Sequence, residues 1–445
     1  MQLAVIGAGW AGLAAAVEAT ARGHRVTLFE MAAAPGGRAR RAISTGDGLA
    51  LDNGQHILIG AYTETLRLMQ HVGVDVGSVF IRMPLTLRFA GGGVLTLPRG
   101  RPAGAFARAV LARSGWRWSE RLALLRAAGG WMRSGFTCAP EASVAQLTAG
   151  LPQRIRAELI DPLCIAALNT PPALASASVF LRVLHDALFA GPGSADLLLP
   201  RVDLGALWPD VAIAWLAATG ANVRMASRVA RLDPDPARSG WRVDGERFDA
   251  VVLAASSVEA ARIARPVASG WADEAAALRH EPITTVVVRG EGIRLAAPLL
   301  ALHESVTAPA QFVFDLGRLR GHDGVLAFVI SGAAAWSARG SEATVAAVIE
   351  QAREALAGET IPRLELVRII TEKRATFVCA PNLVRPAQRI SAGLVAAGDY
   401  VTGPYPATLE GAVRSGVAAV ASLEGEGERS GQGRARVGAA APPAA

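Results

Sequence analysis

The chain has 445 residues, 51% of them apolar, and carries 45 Lys+Arg against 38 Asp+Glu, a formal net charge of +7. At about 150 residues per domain, that length predicts two or three units with ample material for a core. The basic residues are interspersed with acids in no dense block, which excludes a nucleic-acid-binding arm; the scattered Cys138, Cys164 and Cys379, without a CxxC pair, exclude a disulfide framework and a zinc site.

The same cysteine usage predicts a reducing, cytoplasmic setting. The N-terminus lacks the basic n-region of a signal peptide. No uncharged apolar run reaches about 18 residues, so no spanning helix is expected.

In chain order, Leu3-Ala4-Val5-Ile6 reads as a strand. Gly7-Ala8-Gly9-Trp10-Ala11-Gly12 is the turn into an alanine-rich helix ending near Arg22. Val26-Thr27-Leu28-Phe29 reads as a second strand that finishes on Glu30. This is the order of a dinucleotide-binding βαβ unit. Gly7 permits the tight turn, Gly9 lets the backbone approach a pyrophosphate, and Gly12 lets the helix pack on the sheet. The helix N-terminus offers unpaired N–H groups to phosphate. Glu30 lies 18 residues past Gly12, where an acid accepts from ribose hydroxyls and repels a 2′-phosphate, disfavouring NADP. The alternative is a glycine-rich turn followed by a chance acid.

Two further glycine segments follow. In EMAAAPGGRAR, Gly36 and Gly37 can set amides against phosphate and Arg38 can pair with it; alone, this would be an ordinary glycine turn with a solvated arginine. In LDNGQH, Gly54 permits close approach of a flat ligand, and Gln55 and His56 could hydrogen-bond a ring edge. A proton-transfer role for His56 competes with a satisfied structural histidine.

Apolar residues at three- and four-residue spacing predict helices over 105–113, 120–131, 144–147, 154–160, 178–188 and 202–219. Short strands are expected at 222–225, 229–232, 241–243 and 250–254. Strand-like alternation covers 284–288 and 325–330, and a helix is expected over 342–356. Then 393–399 reads as a buried strand ending on Asp399, followed by a Gly/Pro loop and a helix over 409–422. Asp399 can accept a sugar-chain hydroxyl, and the helix start at Thr408 can face phosphate or a flavin carbonyl; the plainer reading is a strand–loop–helix connection with a Thr N-cap. Residues 424–445, rich in Gly, Ser, Arg, Pro and Ala, are expected to be disordered.

Taken with AVIGAGWAGLAAAVE, DNGQHILIGAYTETLRLM, DPLCIAALNTPPALASASVFLRVLHDAL, DLLLPRVDLGALWP, EKRATF and YPATLEGAVRSGVAAV, the chain resembles the FAD-containing amine oxidase and phytoene desaturase superfamily. Within it, the likeness is to the hydroxysqualene dehydroxylase family, also called squalene-associated FAD-dependent desaturases. It covers nearly the whole chain except the tail. The resemblance implies an α/β fold: a Rossmann-like FAD-binding domain (1–95, 190–260, 375–423) interleaved with an α+β substrate domain (96–189, 261–374).

Carried over by position, Gly7, Gly9, Trp10, Ala11, Gly12, Glu30, Gly37, Arg38, Gly398, Asp399, Thr408, Gly411 and Ala412 would contact FAD. Val229, expected in a strand, would meet the adenine through its backbone. Gly54, Gln55 and His56 would lie near the isoalloxazine. The implied reaction reduces hydroxysqualene to squalene with loss of water, in hopanoid biosynthesis. It calls for a proton donor: His56, then Tyr405, ahead of Asp196, Asp203 and Arg201. No cysteine sits in the C-terminal motif, so the FAD is expected to be non-covalent. The single lysine, Lys373, lies in a pattern unlike the flavin-facing lysine of amine oxidases, which disfavours amine oxidation, and Arg374 is read as structural in preference to facing the flavin.

Residues 163–168 and 179–188 are read as ordinary core or as lining for a lipid tunnel. The expected partners are an isoprenoid lipid, an unidentified electron donor and the inner face of a membrane in peripheral contact, with no nucleic acid. An oxidative polyene desaturase and a flavin-free lipid-escort protein are the competing readings; an NAD-dependent dehydrogenase leaves the later motifs unexplained.

Overall fold

A six-stranded sheet organises the nucleotide-binding half of this computed structural model, which describes residues 1–43, 49–90, 92–356 and 363–437. The strand order is Asn222–Arg224, Arg25–Phe29, Gln2–Ile6, Ala250–Leu253, Leu394–Ala396, Arg389–Ser391. The first five run parallel, and Arg389–Ser391 closes the edge antiparallel. The central strands are continuous apolar runs because both faces of the sheet are covered. Helices Trp10–Ala21, Pro209–Ala218 and Leu409–Val437 bury Leu3, Val5 and Val252 on one face. Helices Ser257–Ala264 and Ser269–Ala276 bury Ala4, Ile6 and Val251 on the other.

Helices Trp10–Ala21 and Leu409–Val437 cross at Gly416, where a Cβ would stand 2.2 Å from the Ala11 carbonyl oxygen. Only glycine allows this approach, and it fixes the N-terminal glycine loop against the C-terminal motif despite the sequence distance between them.

The second half combines two layers. An antiparallel sheet runs Leu299–Ala301, Phe312–Asp315, Val325–Ile330, His280–Arg289, Glu365–Phe377. A helical layer from Pro102 to Phe189 packs its own core around Trp116, Leu124, Ile155 and Phe180. Two helices in it relax into π turns, at Arg156–Ile160 and His185–Phe189.

Three expectations need correction. The helix expected over 202–219 is two, Leu204–Leu207 and Pro209–Ala218, because Trp208 leaves helical geometry (φ −154°) and Pro209 starts afresh at the first turn. Val229 is not in a strand; pairing begins at Leu232–Pro234, and the Val229 carbonyl accepts from Arg262 Nη2 at 2.7 Å. The C-terminal helix continues to Val437, through much of the segment expected to be disordered, and Glu424 is tied down by Arg22 and His24 at 2.6 and 2.9 Å. Glycine and serine lower helix propensity there, but the proline that would stop the helix comes only at 442. Residues 438–445 of that tail lie outside the described residues.

Candidate active site

The N-terminal turn is shaped by exclusion. Gly7 has φ +109°, and a Cβ there would meet the Ala254 carbonyl oxygen at 2.6 Å. A Cβ on Gly12 would lie 1.8 Å from the Gly7 carbonyl oxygen. Gly9 differs: a Cβ there would touch only Gly37 Cα, at 3.8 Å. Nothing within the protein requires glycine at position 9, so the space beside it is left for something else. Gly9 is also the N-cap of helix Trp10–Ala21, with no side-chain cap and no acid in the first turn. The open end presents N–H groups and positive dipole to an anion. Gly36 runs alongside, its N–H donating to the Ala8 carbonyl at 2.8 Å, and Trp10 Nε1 clamps the second loop through the Ala39 carbonyl at 2.9 Å. The Glu30 carboxylate accepts from Ala8 N at 2.6 Å and Ala32 N at 2.8 Å, which fixes it at the strand end.

Arg38 bridges the two ends of the chain. It donates to the Asp399 carboxylate and, at 2.7 Å, to the Ala375 carbonyl. Burial works against its charge, but Asp399 outweighs it, so the guanidinium holds its proton more tightly than usual. Arg38 therefore anchors EKRATF and the C-terminal acid to the second glycine loop. Arg374 and Lys373 are exposed.

The Asn53–His56 turn lies against the antiparallel sheet. Asn53 Nδ2 donates to the Arg38 carbonyl at 2.8 Å and to Glu372 at 2.9 Å. Gly54 has φ +91°. The buried Thr285 hydroxyl beside it has no partner in the protein. Gln55 is half-buried. His56 Nδ1 lies 3.3 Å from the Gly54 carbonyl, which accepts if that nitrogen carries the proton. Burial pushes this imidazole down to about 4, although its surface remains partly accessible, as for a side chain facing an interior space. At pH 7 about one molecule in a thousand would carry the imidazolium.

That depression has a measurable consequence for flavin-depleted protein. The unfolded chain protonates His56 near its ordinary 6.5, whereas the folded protein stays neutral until about 4. Between these values the unfolded state binds more protons, so stability falls as pH falls, by up to roughly 3 kcal/mol for this residue. Urea unfolding at pH 7 and pH 4.5 should show a larger loss for wild type than for His56→Gln; parallel losses would contradict a buried neutral imidazole.

The C-terminal motif is as constrained as the first loop. A Cβ on Gly411 would lie 1.8 Å from the Tyr405 carbonyl oxygen. Thr408 Oγ1 accepts from Gly411 N and donates to the Tyr405 carbonyl, both at 2.9 Å, so Thr408 caps the helix. Ala412 is buried in the same turn. Gly398 N donates to Ser415 Oγ at 2.8 Å, and a Cβ on Gly398 would strike the Tyr400 ring.

Tyr405 sits between two guanidiniums, Arg182 at 5.5 Å and Arg414 at 5.0 Å from its ring. Burial pushes its phenol up, with Arg182 and Asp186 beside it. Asp203 caps helix Leu204–Leu207 and pairs with Arg41, and Asp196 pairs with Arg82 at 2.8 Å. Both carboxylates are thus engaged within the protein. Arg201 is exposed.

Residue types alone did not reveal two groups. Glu410, fully buried, accepts from Thr65 N at 3.0 Å and Thr65 Oγ1 at 2.7 Å, docking helix Thr63–His71 onto the C-terminal helix. Asp52, one residue before the Asn53–His56 turn, is buried against Arg320 at 2.5 Å.

Beyond this site the helical layer surrounds a narrow space of about 50 Å³ lined entirely by apolar side chains, among them Leu87, Phe106, Trp131, Leu163 and Phe189. Leu163, Leu184 and Leu188 face it, whereas Cys164, Leu168 and Leu181 lie in the core, so the two segments read as core or tunnel do both. Leu85 lines this space and also packs into the cluster of Leu51, Leu199 and Val287 near the Asn53–His56 turn.

The open cradle at Gly9, the uncapped helix start and the orphaned Thr285 hydroxyl all fit a dinucleotide whose flat ring reaches Gly54. Residues 10–423 match the family described as flavin containing amine oxidoreductase, and the chain belongs to that family. It is an FAD-dependent oxidoreductase.

More particularly, it is similar to a hydroxysqualene dehydroxylase of Rhodopseudomonas palustris, 28% identical over 93% of this chain and 96% of the relative. A zeta-carotene desaturase of Synechocystis is 40% identical, but over only 16% of this chain and 15% of its own. In fold, it resembles an oxidoreductase from Methanosarcina mazei, with a TM-score of 0.74 at 16% identity, covering 95% of this chain and all of the other.

Proposed function

We propose that the protein reduces hydroxysqualene to squalene, its allylic hydroxyl leaving as water, in hopanoid biosynthesis. The single observation that carries this is the likeness to a hydroxysqualene dehydroxylase along nearly the full length of both chains, and the wholly apolar lining of the space in the helical layer agrees with it. FAD, when bound and reduced by an electron donor, supplies the hydride.

The chain's own residues do the rest. Amides around Gly9 and Gly37 hold the pyrophosphate, and Glu30 takes a ribose hydroxyl. Asp399, with one oxygen on Arg38, keeps the other for the ribityl chain. The apolar lining holds an isoprenoid and keeps water from a delocalised allylic cation, which would otherwise be trapped as alcohol. The departing hydroxyl takes one proton and the carbon takes one hydride, so alcohol plus hydride plus proton gives hydrocarbon plus water. His56 is the group nearest this chemistry in sequence, and its Nε2 is free of protein partners among the described residues. With its low proton affinity it suits taking a solvent-derived proton on Nε2 and passing it at once to the departing oxygen rather than storing one. Tyr405, its ring held between Arg182 and Arg414, suits orienting the loop rather than donating.

Oxidative desaturation of a polyene is the second reading, favoured only by the short match to the carotene desaturase. Dithionite-reduced protein incubated anaerobically with hydroxysqualene should yield squalene. Formation of no squalene, together with desaturation of phytoene by the oxidised protein, would reverse the assignment.

A further inference from the structure

We propose that the helical hairpin Pro102–Ala112 and Trp118–Arg133 is a membrane-docking surface for an anionic bilayer, set directly over the apolar space. The inference deepens the isoprenoid reading, on which its delivery role rests; the surface itself stands on exposure and charge.

The two helices are apolar on both sides. Inward, Phe106, Val110, Leu124, Ala128 and Trp131 line the enclosed space. Outward, Leu111 (40% exposed), Trp118 (66%), Leu122 (46%) and Met132 (41%) face solvent. Trp118, Leu122, Arg126, Met132 and Arg133 share one face of their helix at 100° per residue. Four of the eleven exposed large apolar side chains among the described residues fall within these 32 positions, 102–133. The inward face satisfies the core, so nothing within the fold accounts for the outward one.

Charge selects the occupant. Arg99, Arg101, Arg108, Arg117, Arg126 and Arg133 are exposed along the hairpin and the segment leading into it. The one acid between Arg99 and Arg133 is Glu120, and its carboxylate is turned back to accept from Arg117 N at 2.6 Å. Many other arginines pair with acids, as Arg22, Arg67, Arg224 and Arg262 do, whereas no exposed acid lies among these six along the chain. Arg121 stacks on the Trp118 ring at 4.8 Å and holds the indole at the surface.

An exposed tryptophan with leucine and methionine, ringed by arginines, matches the interfacial zone of a bilayer, where indole sits at headgroup level and guanidinium meets phosphate. A second copy of the chain would bring the six arginines against six more, so the charge argues against self-association. No helix among the described residues is long and apolar enough to cross a membrane, so contact would be peripheral. A lipid leaving the bilayer at this face would pass between two helices into the apolar space without crossing water.

Co-sedimentation of the flavin-loaded protein with phosphatidylglycerol/phosphatidylcholine vesicles tests the surface. Wild type should pellet with these vesicles, lose binding in 0.5 M salt and fail to bind phosphatidylcholine alone. Arg108→Glu/Arg126→Glu/Arg133→Glu should weaken partition about a hundredfold, at roughly fivefold for each arginine. Trp118→Ser/Leu122→Ser should weaken it about tenfold or more. Arg231→Glu/Arg265→Glu/Arg353→Glu, the same charge change on other surfaces, should cost far less. Flavin absorbance verifies that each variant is folded.

Three results would overturn the proposal: no pelleting of wild type, hairpin variants that bind as wild type does, or a Trp118→Ser/Leu122→Ser variant that changes only the oligomeric state on sizing. Squalene formation from detergent-dispersed substrate separates the two readings. If it persists without vesicle binding, the docking surface alone fails; if it is absent while binding is intact, the surface stands and the substrate reading fails.

Discussion

Gly12→Ala should leave no folded flavoprotein, whereas Gly9→Ala should leave a folded protein that has lost its grip on FAD. The two positions are three residues apart in one motif and differ in what surrounds them. At Gly12 the new methyl would sit 1.8 Å from the Gly7 carbonyl oxygen, with Ala254 Cβ at 3.1 Å behind it. That oxygen belongs to a turn already pressed against Ala254, so neither helix nor strand has room to move. Overpacking of this kind, against backbone rather than a flexible side chain, is expected to cost about 4 kcal/mol or more.

At Gly9 the methyl meets Gly37 Cα at 3.8 Å, an ordinary contact. The backbone there has φ −73°, which alanine adopts freely. The protein should therefore melt within a degree or two of wild type when both are stripped of flavin. With FAD, the methyl occupies the position through which the pyrophosphate approaches the amides. Losing one charge-assisted hydrogen bond at that site costs roughly 1.5–3 kcal/mol, or about ten- to a hundredfold in Kd. Flavin fluorescence titration of the apoproteins measures it. A Gly9→Ala protein that binds FAD as tightly as wild type would mean that the phosphates lie elsewhere.

This contrast also shows what could be read without coordinates. The βαβ unit was legible because its signal is local: glycines at fixed offsets, an apolar run before them and an acid after them. The C-terminal acid–loop–helix was legible for the same reason. What joins these pieces was not. Arg38 meets Asp399 across 361 positions, and Glu410 caps a helix that begins at Thr63. In a chain with 45 basic and 38 acidic residues, no local rule selects those partners from the many that pair at the surface.

The π turns at Arg156–Ile160 and His185–Phe189 were illegible for a different reason. One inserted residue per turn barely disturbs an apolar pattern already dense with leucine, and Leu188 and Phe189, which line the apolar space, lie in the second of these turns. Val229 was misassigned because SRVARL alternates as a strand would, while Arg262 and Asp244 take the backbone groups that a neighbouring strand would have used.

The second large effect is expected where the Asn53–His56 turn is held from below. Asp52 and Arg320 form an ion pair with side-chain exposures of 0% and 4%. Asp52 also accepts from Leu204 N at 2.8 Å, so one carboxylate ties the turn to helix Leu204–Leu207 and to the end of helix Leu316–Arg320. Burial pushes this carboxyl up, and Arg320 only partly pulls it back. Arg320 Nε and Nη1 have no acceptor in the protein, so its attachment rests on Asp52 alone.

Removing one partner strands the other's charge in the interior. Arg320→Met and Asp52→Leu, made singly, should each cost about 3–5 kcal/mol. The double variant, with both charges gone and side-chain volume largely kept, should recover most of that loss. Thermal or urea unfolding of the four proteins completes the cycle; additive losses would show that the pair is not a unit.

Function should not recover with stability. The Asp52 carboxylate sets the entry of the chain into Asn53, whose amide then reaches Arg38 and Glu372. A double variant that melts like wild type but releases FAD faster, or shifts the flavin absorption, would assign the pair to positioning the turn. If it retains wild-type spectrum and affinity, Asp52 and Arg320 serve only the interior of the fold, and Asn53 alone holds Gly54, Gln55 and His56 in place.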